Sequence, residues 1–500
     1  MPGEITKPIA DLKQRTIRGG LARFCSQGAN FSLRLGSLMV LARLLDPKDF
    51  GLVGMVTAVI GVFNVFRDFG LSMATVQRAS VTEEQTSTLF WINMLFGTGL
   101  LVATFAMAPF VAHFYHEPRL VAVTAVLGTG FVFHSAGVQH GALLERRLQF
   151  VTLSIIEIIA LFTSVVVALA MALRGFGYWA LVATTVLTPL VSSACLWSTT
   201  RWIPGKPRRQ SGTSSMVRFG GTVTLNLVIM HIAANFDKVL LGRFWGAEAI
   251  GLYGRAYQLV NIPTDNLNSS ASGVAFAALS RLQDEPSRFR SYFLKGYSLV
   301  LSLAVPILCA CALFAGDIVN VFLGRKWQSA IPVFQLLVPT ALAFAIFNPL
   351  GWLLSSRGLV GRGLKIVLVL APLMILGYFL GLPNGPRGVA LAYSVVMTLC
   401  VLPLVAWSVR GTPVNMRDIL LTIGRPLLAG IVAAGTVYGL QLLYGPGLAP
   451  LPRLLCGSML VGSIYLAILM YGMGQKAFYL DLVRGFLPHS RLESEVGASA

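Results

Sequence analysis

The stretch LGRFWGAEAIGLYG, residues 241–254, repeats an earlier stretch of the chain, LARLLDPKDFGLVG, residues 41–54. A weaker match sets GALLERRL (141–148) beside GWLLSSRG (351–358). Repetition along a chain indicates an architecture built from related units. A shift of 200 positions superposes Arg43 on Arg243, Gly51 on Gly251, Leu52 on Leu252 and Gly54 on Gly254.

Most of the chain around these stretches is apolar. Hydrophobic residues make up 55% of the 500 residues, charged residues 12%, and the mean hydropathy is +0.73. A soluble domain carries about 25% charged residues, whereas a membrane-spanning helix needs about 20 consecutive apolar residues. The sequence therefore predicts an all-α integral membrane protein with about fourteen transmembrane helices.

The repeat predicts how these helices are organised. The first two spans recur as spans seven and eight, and an even number of spans separates them, so both halves enter the membrane in the same direction. We expect two parallel-repeat six-helix lobes around a central cavity, followed by two C-terminal helices. The predicted segments are a cytoplasmic N-terminus (1–19), an N-lobe with helices 1–6 (20–199), a cytoplasmic linker (200–215), a C-lobe with helices 7–12 (216–410), helices 13–14 (411–474) and a cytoplasmic tail (475–500).

The net charge of +19 fits this topology. Lys and Arg are concentrated in the loops assigned to the cytoplasmic side, which is the positive-inside bias and places both termini inside. The same charge attracts anionic lipid headgroups, so membrane lipids are expected partners. Nucleic acid is not an expected partner, because the aromatic residues lie in apolar spans and do not interleave with a basic patch. The six cysteines form no CxxC pair, and neither a metal nor a cofactor is predicted.

Polar residues recur at helical spacing inside four predicted spans, which places them on one face of each helix. A charge at the bilayer centre costs about 2.5–3.5 kcal/mol on insertion scales, so such residues face a water-filled cavity or tie one helix to another. For four such stripes in two repeated pairs, we favour the cavity. The stripes are Arg23, Gln27, Asn30, Arg34 and Ser37; Gly61, Asn64, Asp68, Ser72 and Thr75; Thr224, His231, Asn235 and Lys238; and Arg255, Gln258, Asn261, Asp265, Asn268 and Ser272.

The predicted cavity is basic, with Arg67 near its edge, and arginine binds phosphate oxygens by charge-assisted hydrogen bonds. An anionic substrate is therefore expected. The residues predicted to bind substrate are Arg23, Asn30, Arg34, Lys238, Arg255, Gln258 and Asn261. Candidates for ion coupling are Asp68, His231, Asp237, Asp265 and Glu157, with helix–helix hydrogen bonding as the alternative for His231.

Two further expectations concern single positions. Asp237 and Lys238 are adjacent in sequence, so their side chains point about 100° apart on a helix. We expect Lys238 to join the cavity stripe and Asp237 to turn toward a neighbouring helix or the cavity flank. Pro263 lies inside the polar stripe of span eight and is predicted to act as a hinge.

Four motifs resemble a known transporter family. They are FDKVLLGRFWGAEAIGLYGRAYQLVNIP (236–263), ALSRLQDE (278–285), LARLLDPKDFGLVGM (41–55) and RDFGLSMATVQR (67–78). These motifs are similar to the polysaccharide-transporter branch of the multidrug/oligosaccharidyl-lipid/polysaccharide exporter superfamily, which includes lipopolysaccharide and exopolysaccharide flippases of the colanic-acid-exporter type. Asp237, Gly242 and Arg243 match the D-x-x-x-x-G-R segment of that family.

The resemblance implies a function. The expected substrate is an undecaprenyl-diphosphate-linked oligosaccharide, moved by alternating access across the bacterial inner membrane for polysaccharide synthesis. The sequence has no GxxxxGK[ST] pattern for ATP, so an ion gradient is the expected energy source. Proton and sodium coupling both remain open, as does a partnership with a polysaccharide polymerase or export complex.

Two other functions deserve comparison. Efflux of a small-molecule drug on the same fold is the alternative, although a basic cavity disfavours cationic drugs. A membrane enzyme would need catalytic groups assembled at one membrane face, often on a substantial loop. Because the predicted outer loops are short, we expect a transporter and not an enzyme.

Overall fold

A computed structural model of the chain describes residues 9–67, 75, 81–207, 214–444 and 449–476. These residues form helices and connecting turns, with no β-strand among them. The α-helices are α1 Ile9–Leu44, α2 Pro47–Phe66, α3 Glu83–Tyr115, α4 Leu120–Arg146, α5 Phe150–Leu173, α6 Trp179–Thr200, α7 Ser214–Arg281, α8 Pro286–Leu313, α9 Ala315–Phe322, α10 Ile331–Phe347, α11 Leu350–Ser356, α12 Val360–Gly381, α13 Gly385–Val409, α14 Met416–Tyr444 and α15 Pro450–Ala467.

The described helices have the character of membrane spans. Nine helical stretches of the described residues are long and apolar enough to cross a bilayer. A helix satisfies its backbone hydrogen bonds internally, which hydrocarbon requires. Large apolar side chains on these helices are strongly exposed, for example Leu95 at 74% and Leu399 at 70%, as expected of surfaces that face lipid. The protein is therefore an all-helical, multi-pass membrane protein, while the number of fourteen spans and the two six-helix lobes remain predictions.

The chain folds as two compact units. The first unit consists of Met1–Gly254, Phe322–Trp327 and Ala371–Val389. The second consists of Arg255–Val321, Gln328–Leu370 and Ala390–Ala500. The first unit thus includes most of α7, which the sequence assigns to the C-lobe, and the predicted lobe boundaries stay a prediction.

Helix α7 is interrupted at Gly246, between the predicted spans seven and eight. Its φ of 81° and ψ of −172° lie in a region that only glycine adopts without strain. The preceding Trp245 is held in place, because its Nε1 donates to the Leu382 carbonyl oxygen at 2.8 Å. Its ring also lies against Gly385, where an added Cβ would come within 3.2 Å of the indole. The break is therefore fixed by contacts on the residue before it.

The two repeated stretches pack against each other inside the first unit. A Cβ on Gly51 would lie 1.6 Å from the Ala247 carbonyl oxygen, and a Cβ on Gly251 would lie 1.9 Å from the Pro47 carbonyl oxygen. Shifting positions 47 and 51 by 200 gives positions 247 and 251. The contact of Gly51 with Ala247 and the contact of Gly251 with Pro47 are therefore equivalent, with the two copies of the repeat exchanged. A two-fold axis between related segments produces this relation. We call Pro47, Gly51, Ala247 and Gly251 the repeat interface.

A corner at the end of α3 supports the second copy of the repeat. The Tyr115 ring lies against Gly242, where a Cβ would come within 2.6 Å of the ring. The Arg243 guanidinium lies 5.6 Å from the centre of the Phe114 ring, and its Nη1 donates to Nδ1 of His116 at 2.5 Å. The adjacent Gly242 and Arg243 of the motif thus both pack against the end of α3.

A corner near Trp327 supports the first copy in the same way. Nε1 of Trp327 donates to the Ala42 carbonyl oxygen at 2.8 Å, which satisfies an acceptor near the end of α1. The fully buried indole meets the Phe50 ring edge to face, with 5.3 Å between ring centres. Nearby, Lys326 Nζ lies 2.8 Å from the Asp46 carboxylate. Each copy of the repeat is therefore held by a corner from elsewhere in the first unit.

In the second unit, the C-terminal helices pack against α8. Val305 on α8 shares a buried cluster with Tyr465 and Leu469 near the end of the chain. Directly after α8, the Phe314 ring lies so close to Gly457 that a Cβ on Gly457 would come within 2.1 Å of it. The predicted helices 13 and 14, here α14 and α15, thus form part of the core of the second unit.

The repeat interface predicts unequal effects for two neighbouring glycines. Gly251→Ala should lower the thermal unfolding midpoint of the detergent-purified protein, with a destabilisation at the upper end of about 1–3 kcal/mol, because backbone atoms cannot rotate away from the new methyl group. Gly254→Ala is the matched control, since a Cβ there meets no atom within 4 Å and alanine favours helix by about 1 kcal/mol. Equal midpoints for the two variants would contradict the close packing at Gly251.

Candidate functional site

A cavity of about 580 Å³ lies in the first unit between α1, α2, α4, α5 and α6. We call it the N-terminal cavity. Its wall combines charged groups of both signs with several hydroxyl groups, which is unusual for a region walled by membrane-spanning helices. The polar residues that line it are Arg34, Arg67, His134, Glu145, Ser154, Glu157, Thr188, Ser192 and Ser193.

Small residues and hydroxyl groups bring the walls of this cavity together. A Cβ on Gly137 of α4 would lie 2.4 Å from Oγ of Ser193 on α6, so the two helices are in close contact there. The Ser193 hydroxyl donates to the Phe133 carbonyl oxygen across the same contact. On the other side of α6, the Thr188 hydroxyl donates to Ser164 of α5 at 2.9 Å. Because small residues and short hydroxyl side chains make these helix contacts, the longer polar side chains lie at the cavity surface.

The charged groups enter the cavity from different helices. Arg34 projects from α1 with an exposed side chain, and Arg67 is the first residue after α2. Glu145 lies at the end of α4, and Glu157 is exposed on α5. Guanidinium groups bind phosphate oxygens in bidentate fashion, while carboxylates accept hydrogen bonds from hydroxyl groups and serine or threonine hydroxyls both donate and accept them. The cavity therefore suits a ligand that carries both an anionic group and hydroxyl groups.

The sequence predictions identified only part of this cavity. Arg34 and Glu157, predicted separately as a substrate contact and an ion site, line it together, and Arg67 joins them. His134 and Glu145 were missed, although they share one face of α4 with Gly141. The missed positions on α5 and α6 also follow helical spacing, with Ser154 three residues before Glu157 and Thr188 four residues before Ser192.

Asp237 and Lys238 on α7 have different surroundings. The Asp237 side chain is only 1% exposed, and its Oδ1 accepts a hydrogen bond from the Lys238 backbone N–H at 2.7 Å. The Tyr253 side chain lies beside the same carboxylate. Lys238 is half-buried, and its Nζ donates to Oδ1 of Asn235 at 2.7 Å. Asp237 is thus a carboxylate with little access to water.

The same face of α7 contacts α2. The Asn235 amide donates to the His231 carbonyl oxygen at 3.0 Å, so the polar residues of this face are linked along the helix. The His231 ring in turn lies against Gly61 of α2, where an added Cβ would come within 2.8 Å of Nε2. The predicted stripes of spans two and seven therefore face each other at this point. The ion-coupling role of His231 stays a prediction.

The polar stripe of the second unit makes mostly local contacts. The Arg255 guanidinium donates to Oε1 of Gln258 one turn further along. Asn261 is buried and its Nδ2 donates to the Tyr257 carbonyl oxygen at 3.0 Å, while Asp265 is exposed. Binding and coupling roles for these residues stay predictions.

Four other predicted residues need separate mention. Pro263 lies inside α7, where only Gly246 has a non-helical backbone, so its role as a hinge is untested. Asn30 is half-buried on α1, one turn before Arg34. The side chain of Arg23 and the whole of Asp68 lie outside the described residues.

Comparison with known proteins finds a family and several relatives by sequence. A family model described as "Polysaccharide biosynthesis protein" matches residues 40–332. The lipopolysaccharide biosynthesis protein WzxC of Escherichia coli K12 is 28% identical over 401 residues, which cover 78% of this chain and 80% of the relative. The teichuronic acid biosynthesis protein TuaB of Bacillus subtilis 168 is 31% identical over 296 residues, 58% of this chain and 61% of the relative. The succinoglycan biosynthesis transport protein ExoT of Rhizobium meliloti 1021 is 22% identical over 449 residues, 89% and 90% of the two chains.

Two solved structures share the fold. The lipid II flippase MurJ in an inward closed conformation superposes with a TM-score of 0.72 at 15% identity, covering 93% of this chain and all of MurJ. An inward-facing multidrug resistance MATE transporter of the MOP superfamily gives 0.59 at 13% identity, over 76% and 93% of the two chains. At these identities the likeness concerns the fold alone. The sequence matches, by contrast, confirm the resemblance carried by the motifs at 41–55 and 236–263.

The N-terminal cavity predicts selective labelling of one introduced cysteine. In a variant whose six native cysteines are replaced by alanine, Ser192→Cys should react about tenfold or more faster with a charged thiol reagent than Ser164→Cys, because the reagent must reach the thiolate through water. Ser192 lines the cavity, whereas Ser164 is fully buried between α5 and α6. The rates should be measured on detergent-purified protein by mass spectrometry. Equal rates would mean that the cavity is closed to water.

Proposed function

The chain belongs to the polysaccharide biosynthesis protein family, and from that premise we propose that it is a flippase of the polysaccharide-transporter branch of the multidrug/oligosaccharidyl-lipid/polysaccharide exporter superfamily. It translocates undecaprenyl-diphosphate-linked oligosaccharide units across the bacterial inner membrane for lipopolysaccharide or exopolysaccharide synthesis. The names of its relatives, which concern lipopolysaccharide, teichuronic acid and succinoglycan synthesis, support this proposal. So does the fold shared with a lipid II flippase.

The chemistry of the N-terminal cavity is the observation that carries the proposal. A lipid-linked oligosaccharide has a diphosphate, which guanidinium groups bind, and sugar hydroxyls, which carboxylates and hydroxyls bind. Arg34 and Arg67 supply the first kind of group, while Glu157, Thr188 and Ser192 supply the second. The exposed apolar faces of the surrounding helices allow the polyprenyl tail to remain in lipid while the headgroup occupies the cavity.

An ion gradient drives the cycle in this proposal. An ion can drive transport only if it binds the two conformations with different affinity. Asp237 is suited to this role because a charged carboxylate is costly to bury, and cation or proton binding removes that charge. Glu157, at the cavity surface, is the second candidate, with contact to bulk water through the cavity.

The binding role of Arg34 predicts a large loss of transport on truncation. Arg34→Ala should reduce flipping about 10- to 100-fold, since a hydrogen-bonded contact to a charged group contributes roughly 1.5–3 kcal/mol. The measurement is the fraction of undecaprenyl-linked oligosaccharide that an enzyme confined to the periplasm can modify in cells that depend on the variant. Finished but inaccessible glycan-lipid should accumulate.

Arg174→Ala provides the matched control, because Arg174 is an exposed arginine of the first unit that does not line the cavity. It should support normal accessibility at the same protein abundance. Normal accessibility with Arg34→Ala would remove Arg34 from the site. Normal accessibility in cells that lack the protein altogether would instead favour efflux of a small molecule on the same fold.

Coupling at Asp237 is tested separately by an isosteric change. Asp237→Asn keeps the Oδ1 acceptor for the Lys238 backbone N–H but cannot bind a proton or carry charge. Protein abundance should stay near that of the unaltered chain, whereas turnover should fall. The remaining turnover should no longer respond to an uncoupler if protons are the coupled ion, or to removal of sodium if sodium is. Low abundance with unchanged turnover per molecule would show that Asp237 has a structural role only.

A further inference from the structure

Two adjoining clefts of the second unit lie beside the first turns of α8 and α14. One, of about 440 Å³, is lined by Arg281 and Arg288, and the other, of about 530 Å³, by Arg425. Ser291 and Lys295 line both, so the two clefts share a wall. We call them the basic clefts. Their residues belong neither to the N-terminal cavity nor to the predicted polar stripes.

The positive charge of the basic clefts is only partly balanced. Asp418, the acidic residue that lines the second cleft, is engaged by Arg290 through two hydrogen bonds of 2.7 and 2.5 Å. Arg288 pairs with Glu285 at 2.8 Å, with both side chains largely exposed. The lining cations that form no hydrogen bond or ion pair with any other described residue are Arg281, Lys295 and Arg425.

The position of these cations along their helices corresponds to the level of lipid headgroups. No charged residue follows Lys295 up to the end of α8 at Leu313, and none follows Arg425 up to the end of α14 at Tyr444. At 1.5 Å per residue each of these uncharged stretches spans about 27–29 Å, close to the roughly 30 Å of the hydrocarbon core. Lys295 and Arg425 therefore lie where the hydrocarbon begins.

An apolar surface continues from the clefts along α14. Leu421 lines one cleft and is 53% exposed. Leu428 and Val432 follow seven and eleven residues later, on the same face of the helix, and are 56% and 54% exposed. A phosphate held by Lys295 and Arg425 would thus have an exposed track beside it for an acyl chain.

We propose that the basic clefts bind a resident anionic phospholipid, with its headgroup phosphate on Lys295 and Arg425 and an acyl chain along Leu421 and Leu428. Basic pockets between transmembrane helices recognise such headgroups. The bound lipid would bridge α8 and α14 and so stabilise the second unit. This site is separate from the proposed transport site, and its existence does not rest on the flippase function.

The test compares two double variants of the full chain in detergent. The first double variant combines Lys295→Gln with Arg425→Gln. Its affinity for phosphatidylglycerol should fall about 25-fold in a titration followed by native mass spectrometry, because each surface cation contributes roughly fivefold to the affinity. The control is Lys365→Gln with Arg410→Gln, which removes the same charge from exposed residues of the second unit outside the clefts. The affinity of this control for phosphatidylglycerol should stay within about twofold of that of the unaltered chain. The affinity of every variant for phosphatidylcholine should also change by no more than about twofold.

Three outcomes would overturn the proposal. Equal weakening in the control variant would mean that net charge alone attracts the lipid. Full competition by inorganic phosphate at matched concentration would mean a free-phosphate site without a role for the acyl chains. An unchanged affinity in the cleft variant, whose folding is checked by its unfolding midpoint, would place the lipid elsewhere. Should the double variant fail to fold, Arg425→Gln alone should weaken binding about fivefold.

Discussion

The backbone contact between the two copies of the repeat is the constraint on which the first unit depends. At Gly51 and Gly251 the main chain of one copy touches the main chain of the other, so no side chain fits there. This contact fixes α7 beside α2, and Gly61 then receives the His231 ring. Small residues permit such approach where lipid provides no hydrophobic force to drive helices together. Identical residues at positions 200 apart thus reflect a shared packing requirement.

The second constraint is the cost of polar groups among apolar helices. The first unit accommodates such polar groups in two ways. Around the N-terminal cavity the charged side chains line a space wide enough for water or ligand, whereas Asp237 is enclosed and accepts a hydrogen bond from a backbone N–H. The first arrangement suits reversible binding of a polar headgroup. The second suits a change of charge state, because only removal of the charge relieves the cost of its burial.

Much of the fold could be predicted from the sequence, because long apolar runs in lipid can only be helices. The boundary between spans seven and eight was also predictable, and the structure places the break at Gly246. The site was less predictable. Polar stripes identify helix faces one helix at a time, so Arg34 and Glu157 were found separately. That they meet His134 and Ser192 depends on which helix faces pack together, and the close contact of Gly137 with Ser193, which joins α4 to α6, cannot be read from the pattern of either helix alone.

Charge balance distinguishes the N-terminal cavity from the basic clefts. A transported headgroup must bind well enough to enter its site and weakly enough to leave it. In the proposed transport site, the N-terminal cavity, Glu145 and Glu157 offset the attraction of Arg34 and Arg67 for an anion. In the basic clefts the carboxylate of Asp418 is already engaged by Arg290, so Arg281, Lys295 and Arg425 have no carboxylate partner among the described residues. The first balance favours turnover of a substrate, and the second favours retention of a lipid.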